Sequence, residues 1–231
     1  MNSNTQLSRL LLTCGVIAGP IYIIVGLAQI LTREGFDVTR HPLSMMSLGD
    51  LGWIQITNFI VTGILVVLGA IGLRRAEADK RWRLGALLIG LYGVGVIGGG
   101  LFSTDPSLGF PPGTPNTYPE TMTTHAFLHF LFGQLGFLAL IIASFIFAWH
   151  FAAAKLPGWA AFSAFTSGFF LASIVAGIAI MGAAWTMIAL YVAVALGWVW
   201  LSALAAWSLR NETMVADGKL QIADAQKSPL S

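Results

Sequence analysis

The stretch IQITNFIVTGILVVLGAIGL, residues 54–73, runs for 20 residues without a charged side chain. A helix of about 20 apolar residues crosses the hydrocarbon core of a bilayer. The apolar residues follow one another continuously instead of alternating, and only helices and closed barrels span lipid. The stretch therefore predicts a transmembrane helix rather than a barrel strand.

Five further apolar windows of similar length lie before and after this stretch. The chain of 231 residues has a mean hydropathy of +0.78 and 10% charged residues, which is too apolar for a soluble domain. We therefore predict an all-α polytopic membrane protein, a bundle of six transmembrane helices with two long outer loops. The predicted spans are residues 10–31, 54–73, 84–102, 126–151, 159–181 and 186–209.

Residues 1–209 are expected to form one transmembrane domain. Residues 210–231 are polar and of mixed charge, a composition typical of segments that bury too little apolar surface to fold. We predict that they form a disordered cytoplasmic tail. The single cysteine, Cys14, lies in the first span and has no partner for an intramolecular disulfide.

The basic residues indicate the orientation of the bundle. Ten of the 12 Lys and Arg residues fall at one end of a six-span topology, five of them in residues 74–83, and only Arg33 and Arg40 fall at the other end. This asymmetry predicts a multi-pass protein of the cytoplasmic (inner) membrane with both termini in the cytoplasm. A small basic loop that sets topology gives no reason to expect nucleic acid as a partner.

The polar residues of the chain concentrate in the two outer loops, residues 32–53 and 103–124. Loop one contains the segment RHPLSMMSLGD, residues 40–50. Both loops are longer than a helical hairpin needs, and long loops in compact folds are usually functional or disordered. The candidate ligand-binding residues in and beside these loops are Arg40, His41, Asp50, Asp105, His125 and His129.

His125 and His129 lie four residues apart at the start of the fourth span and share one helical face. This spacing suits two ligands of one metal ion, but the motif contains no third ligand. The N-terminus of a helix also favours anions over cations. Two alternatives are an anion site that includes Arg40 and His41, and histidines that tie the loops to the bundle through carbonyl oxygens.

The two acidic candidates also have a structural and a functional interpretation. Asp105 follows the third span, where a carboxylate is expected either to accept a proton or to pair with Arg40 or His125. Asp50 precedes the second span and Trp53, a pattern typical of an N-cap with an aromatic anchor. Uncharged polar residues inside the spans, including Gln55, Asn58, Gln134 and Tyr191, are expected to form hydrogen bonds between helices.

Several of these elements together resemble a known family. The matching residues are HPLS at 41–44, SLGDLGWIQ at 47–55, DP at 105–106, and TH at 124–125 followed by His129. This pattern resembles DUF998, a prokaryotic family of membrane proteins of unknown function. The resemblance extends over the chain up to Arg210 and implies a six-span topology, but it implies no activity.

The favoured hypothesis is an outward-facing polar pocket that binds a membrane lipid or a small amphiphilic ligand without a cofactor. In it, Arg40 and His125 meet an anionic head and Asp105 orients a histidine. One alternative is a membrane hydrolase that uses a divalent metal such as zinc on His125 and His129. The other is a structural or assembly subunit of a membrane complex. The sequence leaves open whether the protein is an enzyme and which oligomer it forms.

Overall fold

The structure, a computed structural model, describes the backbone of residues 3–180 and 182–227 and the side chains up to Glu212. Within these ranges the chain is all-α, and six helices are long and apolar enough to cross a membrane. The six-helix membrane bundle predicted from the sequence is therefore confirmed. The helices are α1 (Ser3–Thr32), α2 (Gly52–Ala76), α3 (Lys80–Leu101), α4 (Thr124–Ala153), α5 (Pro157–Ala179) and α6 (Ala184–Lys227).

The helix ends differ from the predicted spans at both termini. α1 begins at Ser3, and α6 continues to Lys227 without a break at residue 209. The division into a transmembrane domain, residues 1–209, and a disordered cytoplasmic tail stays a prediction. The predicted end of the fifth span, Met181, and the last four residues of the predicted tail lie outside the described residues.

The six helices form a closed ring. Each helix packs against the next one along the chain, and α6 returns to pack against α1. One end of the ring carries loop one, loop two and the turn between α5 and α6, and is termed the loop end. The opposite end carries residues 77–79 and 154–156 between helices and is termed the basic end. The basic residues do gather at one end, while the orientation of that end in the membrane stays a prediction.

Close backbone contact at glycines holds successive helices together. At three consecutive interfaces, from α1–α2 to α3–α4, a Cβ atom added to a glycine would lie 2.7–2.8 Å from the backbone of the facing helix. Apolar side chains gain little from leaving lipid, so membrane helices associate through such close packing of small residues. The facing pairs are Gly15 with Gly69, Gly63 with Gly93, and Gly95 with Gly136.

The interface between α1 and α6 closes the ring through a polar contact. Pro20 lies inside α1, and the residue before it, Gly19, donates its backbone N–H to the Ser202 hydroxyl of α6 at 3.1 Å. A Cβ atom on Gly19 would lie 2.7 Å from the Trp198 carbonyl oxygen. The same hydroxyl donates to the Gly15 carbonyl at 3.3 Å, so Ser202 binds two backbone groups of α1 in the turn before Pro20.

Amide side chains add hydrogen bonds between α1 and α2. Gln29 donates to the Gln55 side-chain oxygen at 2.7 Å, and Asn58 donates to the Tyr22 carbonyl at 3.3 Å. All three amides are buried. The prediction that Gln55 and Asn58 join helices is confirmed.

Replacing Gly93 by alanine is expected to lower the free energy of unfolding by about 1–3 kcal/mol. The added Cβ atom would lie 2.9 Å from the Gly63 carbonyl oxygen, so α2 and α3 would have to separate. The measurement is the unfolding transition of the purified protein in detergent. Gly90→Ala is the matched control, because its Cβ atom would meet only the Ala70 Cβ at 3.6 Å. An equal loss of stability in both variants would contradict the role given to the glycine pairs.

A roofed cavity at the loop end

The loop-end half of the ring encloses a cavity of about 180 Å³, termed the loop-end cavity. Its walls come from α1, α2, α3, α4 and α6, and its roof comes from loop one. Among the described residues, α5 contributes none to the lining. The lining residues that carry the argument below are Tyr22, Leu43, Gly99, His129, Gly133, Gln134 and Tyr191.

The cavity exists because two glycines, Gly99 of α3 and Gly133 of α4, place no side chains in it. Gly95 of α3 meets Gly136 of α4 in backbone contact, but about one turn towards the loop end the two helices have no such contact. There, a Cβ atom on Gly99 would find its nearest neighbour, His129 Cε1, at 3.7 Å, and one on Gly133 would find nothing within 4 Å. The cavity therefore begins where the glycine-to-glycine contact of α3 and α4 ends.

The roof of the cavity is the start of a short 3₁₀ helix, Leu43–Ser47, in loop one. Leu43 reaches the backbone of α1, where its Cδ2 atom would lie 3.2 Å from a Cβ atom on Gly26. Arg33 fixes the other side of the roof by donating to the carbonyls of Met46 at 3.1 Å and Leu48 at 2.6 Å. Partial burial lowers the pKa of Arg33 from its ordinary value. The segment that concentrates polar residues in the sequence thus forms a fixed lid.

His41 joins both loops and α6 at the edge of the roof. Its buried imidazole accepts the Asp37 N–H at Nδ1 and donates from Nε2 to the Leu108 carbonyl of loop two, both at 2.9 Å. An N–H group can only donate and a carbonyl can only accept, so the ring is neutral with its proton on Nε2. The His41 carbonyl in turn accepts the Tyr191 hydroxyl of α6 at 2.8 Å.

The turn that precedes His41 is stabilised by Asp37. Its carboxylate accepts both the hydroxyl and the backbone N–H of Thr39, at 2.6 and 2.8 Å. The Thr39 hydroxyl contributes most to holding the pKa of Asp37 below its ordinary value, and the Thr39 N–H comes next. Asp37 therefore stays a carboxylate at the surface of loop one.

His129 is the predicted site residue that faces the cavity. Its Nδ1 donates to the Phe102 carbonyl at the end of α3, at 2.8 Å, so the ring orientation is fixed. The Gly99 carbonyl is a second backbone acceptor beside the ring, and none of the described side chains binds Nε2. The ring is 7% exposed and lies beside the rings of Phe59 and Phe130.

Arg40 and Asp105 bind protein groups away from the cavity. The Arg40 guanidinium donates to the Asn116 side-chain oxygen of loop two. Asp105 accepts the backbone N–H and the hydroxyl of Thr123, at 2.9 and 2.6 Å. Thr123 caps α4 by accepting the Ala126 N–H at 3.2 Å. The expected pairing of Asp105 with Arg40 or a histidine is therefore wrong, because both carboxylate oxygens accept hydrogen bonds from Thr123, the N-cap residue of α4.

Asp50 and His125 are exposed. The N-cap residue of α2 is Leu51 and makes no side-chain cap, so the prediction that Asp50 caps this helix is wrong. The His125 ring packs on Phe102 at 5.6 Å between ring centroids. Within the described residues, no group of three His, Cys, Asp or Glu side chains is placed to hold a metal ion.

The sequence interpretation missed two groups of the cavity. Gln134 was expected to bond another helix, but it is exposed and no partner for its amide occurs among the described side chains. Gly133 is the second group: it lies one turn after His129 and leaves the cavity open. The signal in the sequence was a glycine at this spacing beside an uncharged polar residue within an apolar helix.

The six helices define a polytopic membrane protein, with a roofed cavity in one half of its bundle. The chain belongs to the family described as protein of unknown function (DUF998), whose model matches residues 16–207. This match confirms the resemblance noted in the sequence. No curated protein and no solved structure matches the chain.

Replacing His41 by phenylalanine is expected to loosen the roof. The ring contacts with Phe36 and Phe110 can remain, but two hydrogen bonds worth about 0.5–1.5 kcal/mol each are lost. Hydrogen exchange should become faster at the amides of loop one and loop two and stay unchanged at the basic end.

His125→Phe is the control, because this exposed histidine makes no hydrogen bond to another described residue. If His41→Phe left the exchange of both loops unchanged, His41 would not hold the roof.

Proposed function

We propose that the protein binds a membrane lipid or a small amphiphile by taking one end of the molecule into the loop-end cavity. The observation that carries this proposal is the cavity itself, an apolar space with a few uncharged polar groups under a fixed roof. Cavities with this composition are the usual sites of small ligands.

The volume limits what the cavity can take. A cavity of about 150 Å³ lined by apolar side chains holds a molecule of the size of benzene. At about 180 Å³, the loop-end cavity accommodates a ring or a short length of chain. A two-chain lipid does not fit inside, so such a ligand would insert one group and leave its remainder in the bilayer.

The lining residues also support the proposal that a ligand enters the cavity from the side of the bundle. Phe130 and Gln134 line the cavity and are exposed on α4. In the other half of the bundle α4 and α6 meet, where the rings of Phe147 and Trp200 lie 5.7 Å apart. Towards the loop end the same two helices form opposite walls of the cavity. α5, which packs between them in the ring, contributes none of the described lining residues, so access from the lipid would pass on the α5 side of these walls.

The positions of the histidines support the metal-hydrolase alternative less well than they support ligand binding. It needs a third ligand beside His125 and His129, and the described residues provide none. His129 also uses Nδ1 for the Phe102 carbonyl. We therefore do not propose a reaction.

Replacing Gly133 by leucine is expected to fill the cavity and reduce ligand binding at least tenfold. A Cβ atom at this position meets nothing within 4 Å, so the larger side chain can enter the cavity without moving the backbone. Binding is measured as labelling by a photoactivatable alkyl alcohol in lipid nanodiscs. Folding is checked by the unfolding transition.

Gly168→Leu on α5 is the matched control. Its Cβ atom also meets nothing within 4 Å, but Gly168 does not line the cavity. We expect normal labelling of this variant. Equal labelling of the Gly133 variant, the control and the unmodified protein would contradict the proposed function.

A further inference from the structure

We infer that the loop-end cavity selects an uncharged amphiphile whose hydroxyl group donates a hydrogen bond to Nε2 of His129. This inference rests on the proposed function and specifies the ligand class. Fatty alcohols, isoprenoid alcohols and the free hydroxyl of a partial glyceride share the required chemistry.

The hydrogen bonding of His129 determines which group the cavity can bind. Because the Phe102 carbonyl can only accept, the proton of the neutral imidazole lies on Nδ1. Nε2 is then an acceptor, and none of the described side chains satisfies it. A ligand that displaces water from the cavity and donates to Nε2 keeps this acceptor hydrogen-bonded, so it gains more than one that only fills space.

The surroundings of the ring keep it neutral. His129 is buried beside the aromatic rings of Phe59 and Phe130. A charged imidazolium here would lose its hydration, and none of the cavity's lining residues carries a carboxylate that would compensate. His129 is therefore set to accept a hydrogen bond rather than to attract an anion.

The lining excludes ionised head groups for the same reason. None of the described residues that line the cavity is charged. The two basic residues of loop one are engaged elsewhere, since Arg40 binds Asn116 and Arg33 binds the carbonyls of Met46 and Leu48. An anionic head, as the sequence suggested, would give up its hydration without gaining a counter-charge.

The position of His129 on α4 fits a chain that leaves sideways. His129 lies about 8 Å along the axis from the first residue of α4, one turn above Gly133, which leaves its side of the cavity open. The exposed amide of Gln134 borders the same space. A hydroxyl at Nε2 can therefore sit inside while its chain passes Gly133 into the lipid.

The Tyr191 hydroxyl does not select for a ligand that donates a hydrogen bond. It already donates to the His41 carbonyl and so serves the roof. Tyr22, Tyr92 and Ser44 also line the cavity with hydroxyl groups. A hydroxyl group both donates and accepts hydrogen bonds, so it does not distinguish a ligand that donates from one that only accepts. The neutral histidine is the lining group that requires a donor.

The test uses competitors of equal chain length against the photoactivatable probe at pH 8. They are a primary alcohol, the matching 1-fluoroalkane, which has no donor, and the matching carboxylate, which is ionised. For the unmodified protein we expect the alcohol to compete about three- to tenfold better than the fluoroalkane, the range of one net hydrogen bond. The carboxylate should compete worse than both.

The variant His129→Asn tests whether His129 causes the preference for the alcohol over the fluoroalkane. His129→Asn keeps an amide N–H that can reach the Phe102 carbonyl but removes Nε2. We expect the ratio of alcohol to fluoroalkane to fall to about one while the fluoroalkane still competes as before. His125→Asn, a histidine outside the cavity, should keep the ratio of the unmodified protein.

The outcomes separate the inference from the proposed function. Equal competition by alcohol and fluoroalkane, strongest competition by the carboxylate, or an unchanged ratio in His129→Asn overturns the ligand class and leaves the cavity as a binding site. If no competitor reduces labelling and Gly133→Leu labels normally, the proposed function fails as well. The competitor series on the unmodified protein needs no variant, so a folding defect in His129→Asn does not prevent the test.

Discussion

Backbone contact at glycines is the constraint on which the rest of this bundle depends. Helices in lipid gain little from burying apolar side chains against each other, so they must pack at close range to stay together. Gly63 with Gly93 and Gly95 with Gly136 bring α2, α3 and α4 into backbone contact. Where the contact stops, at Gly99 and Gly133, the same lack of side chains leaves a cavity.

The roof over this cavity follows from a second constraint, the need to satisfy polar groups at the end of an apolar bundle. A neutral His41 accepts a hydrogen bond from an N–H of loop one and donates one from Nε2 to a carbonyl of loop two. Arg33 satisfies two more carbonyls of loop one. His41, one of the polar residues that stand out in the sequence, therefore holds the lid, and His129, below it, faces the cavity.

The sequence predicts the spans because hydropathy over about 20 residues is a local property. The resemblance to the DUF998 family was visible in residues 41–55 for the same reason, since a continuous motif can be read without the fold. The partners of individual side chains are not local. Arg40 binds Asn116, and His41 binds Leu108, across more than 60 residues, so no spacing rule indicates them.

The candidate site also shows that the sequence does not indicate the partners of individual side chains. Among the six predicted residues, His129 faces the cavity and His41 holds its roof, whereas Asp105 supports the cap of α4. A cluster of polar residues in the sequence favoured a charged site. In the structure, hydrogen bonds to the backbone and to side chains of the loops engage Arg40 and Asp105, and the lining that remains is uncharged.

The most direct test of the central claim is to map where a lipid-like probe reacts with the protein. A photoactivatable alkyl alcohol is activated in nanodiscs, and its adducts are located by mass spectrometry of the fragments. The account predicts that adducts concentrate in residues 130–137 of α4 and 187–194 of α6, the two cavity walls on either side of α5. Adducts spread evenly over the exposed apolar residues of all helices, such as Leu10 and Ile178, would contradict it.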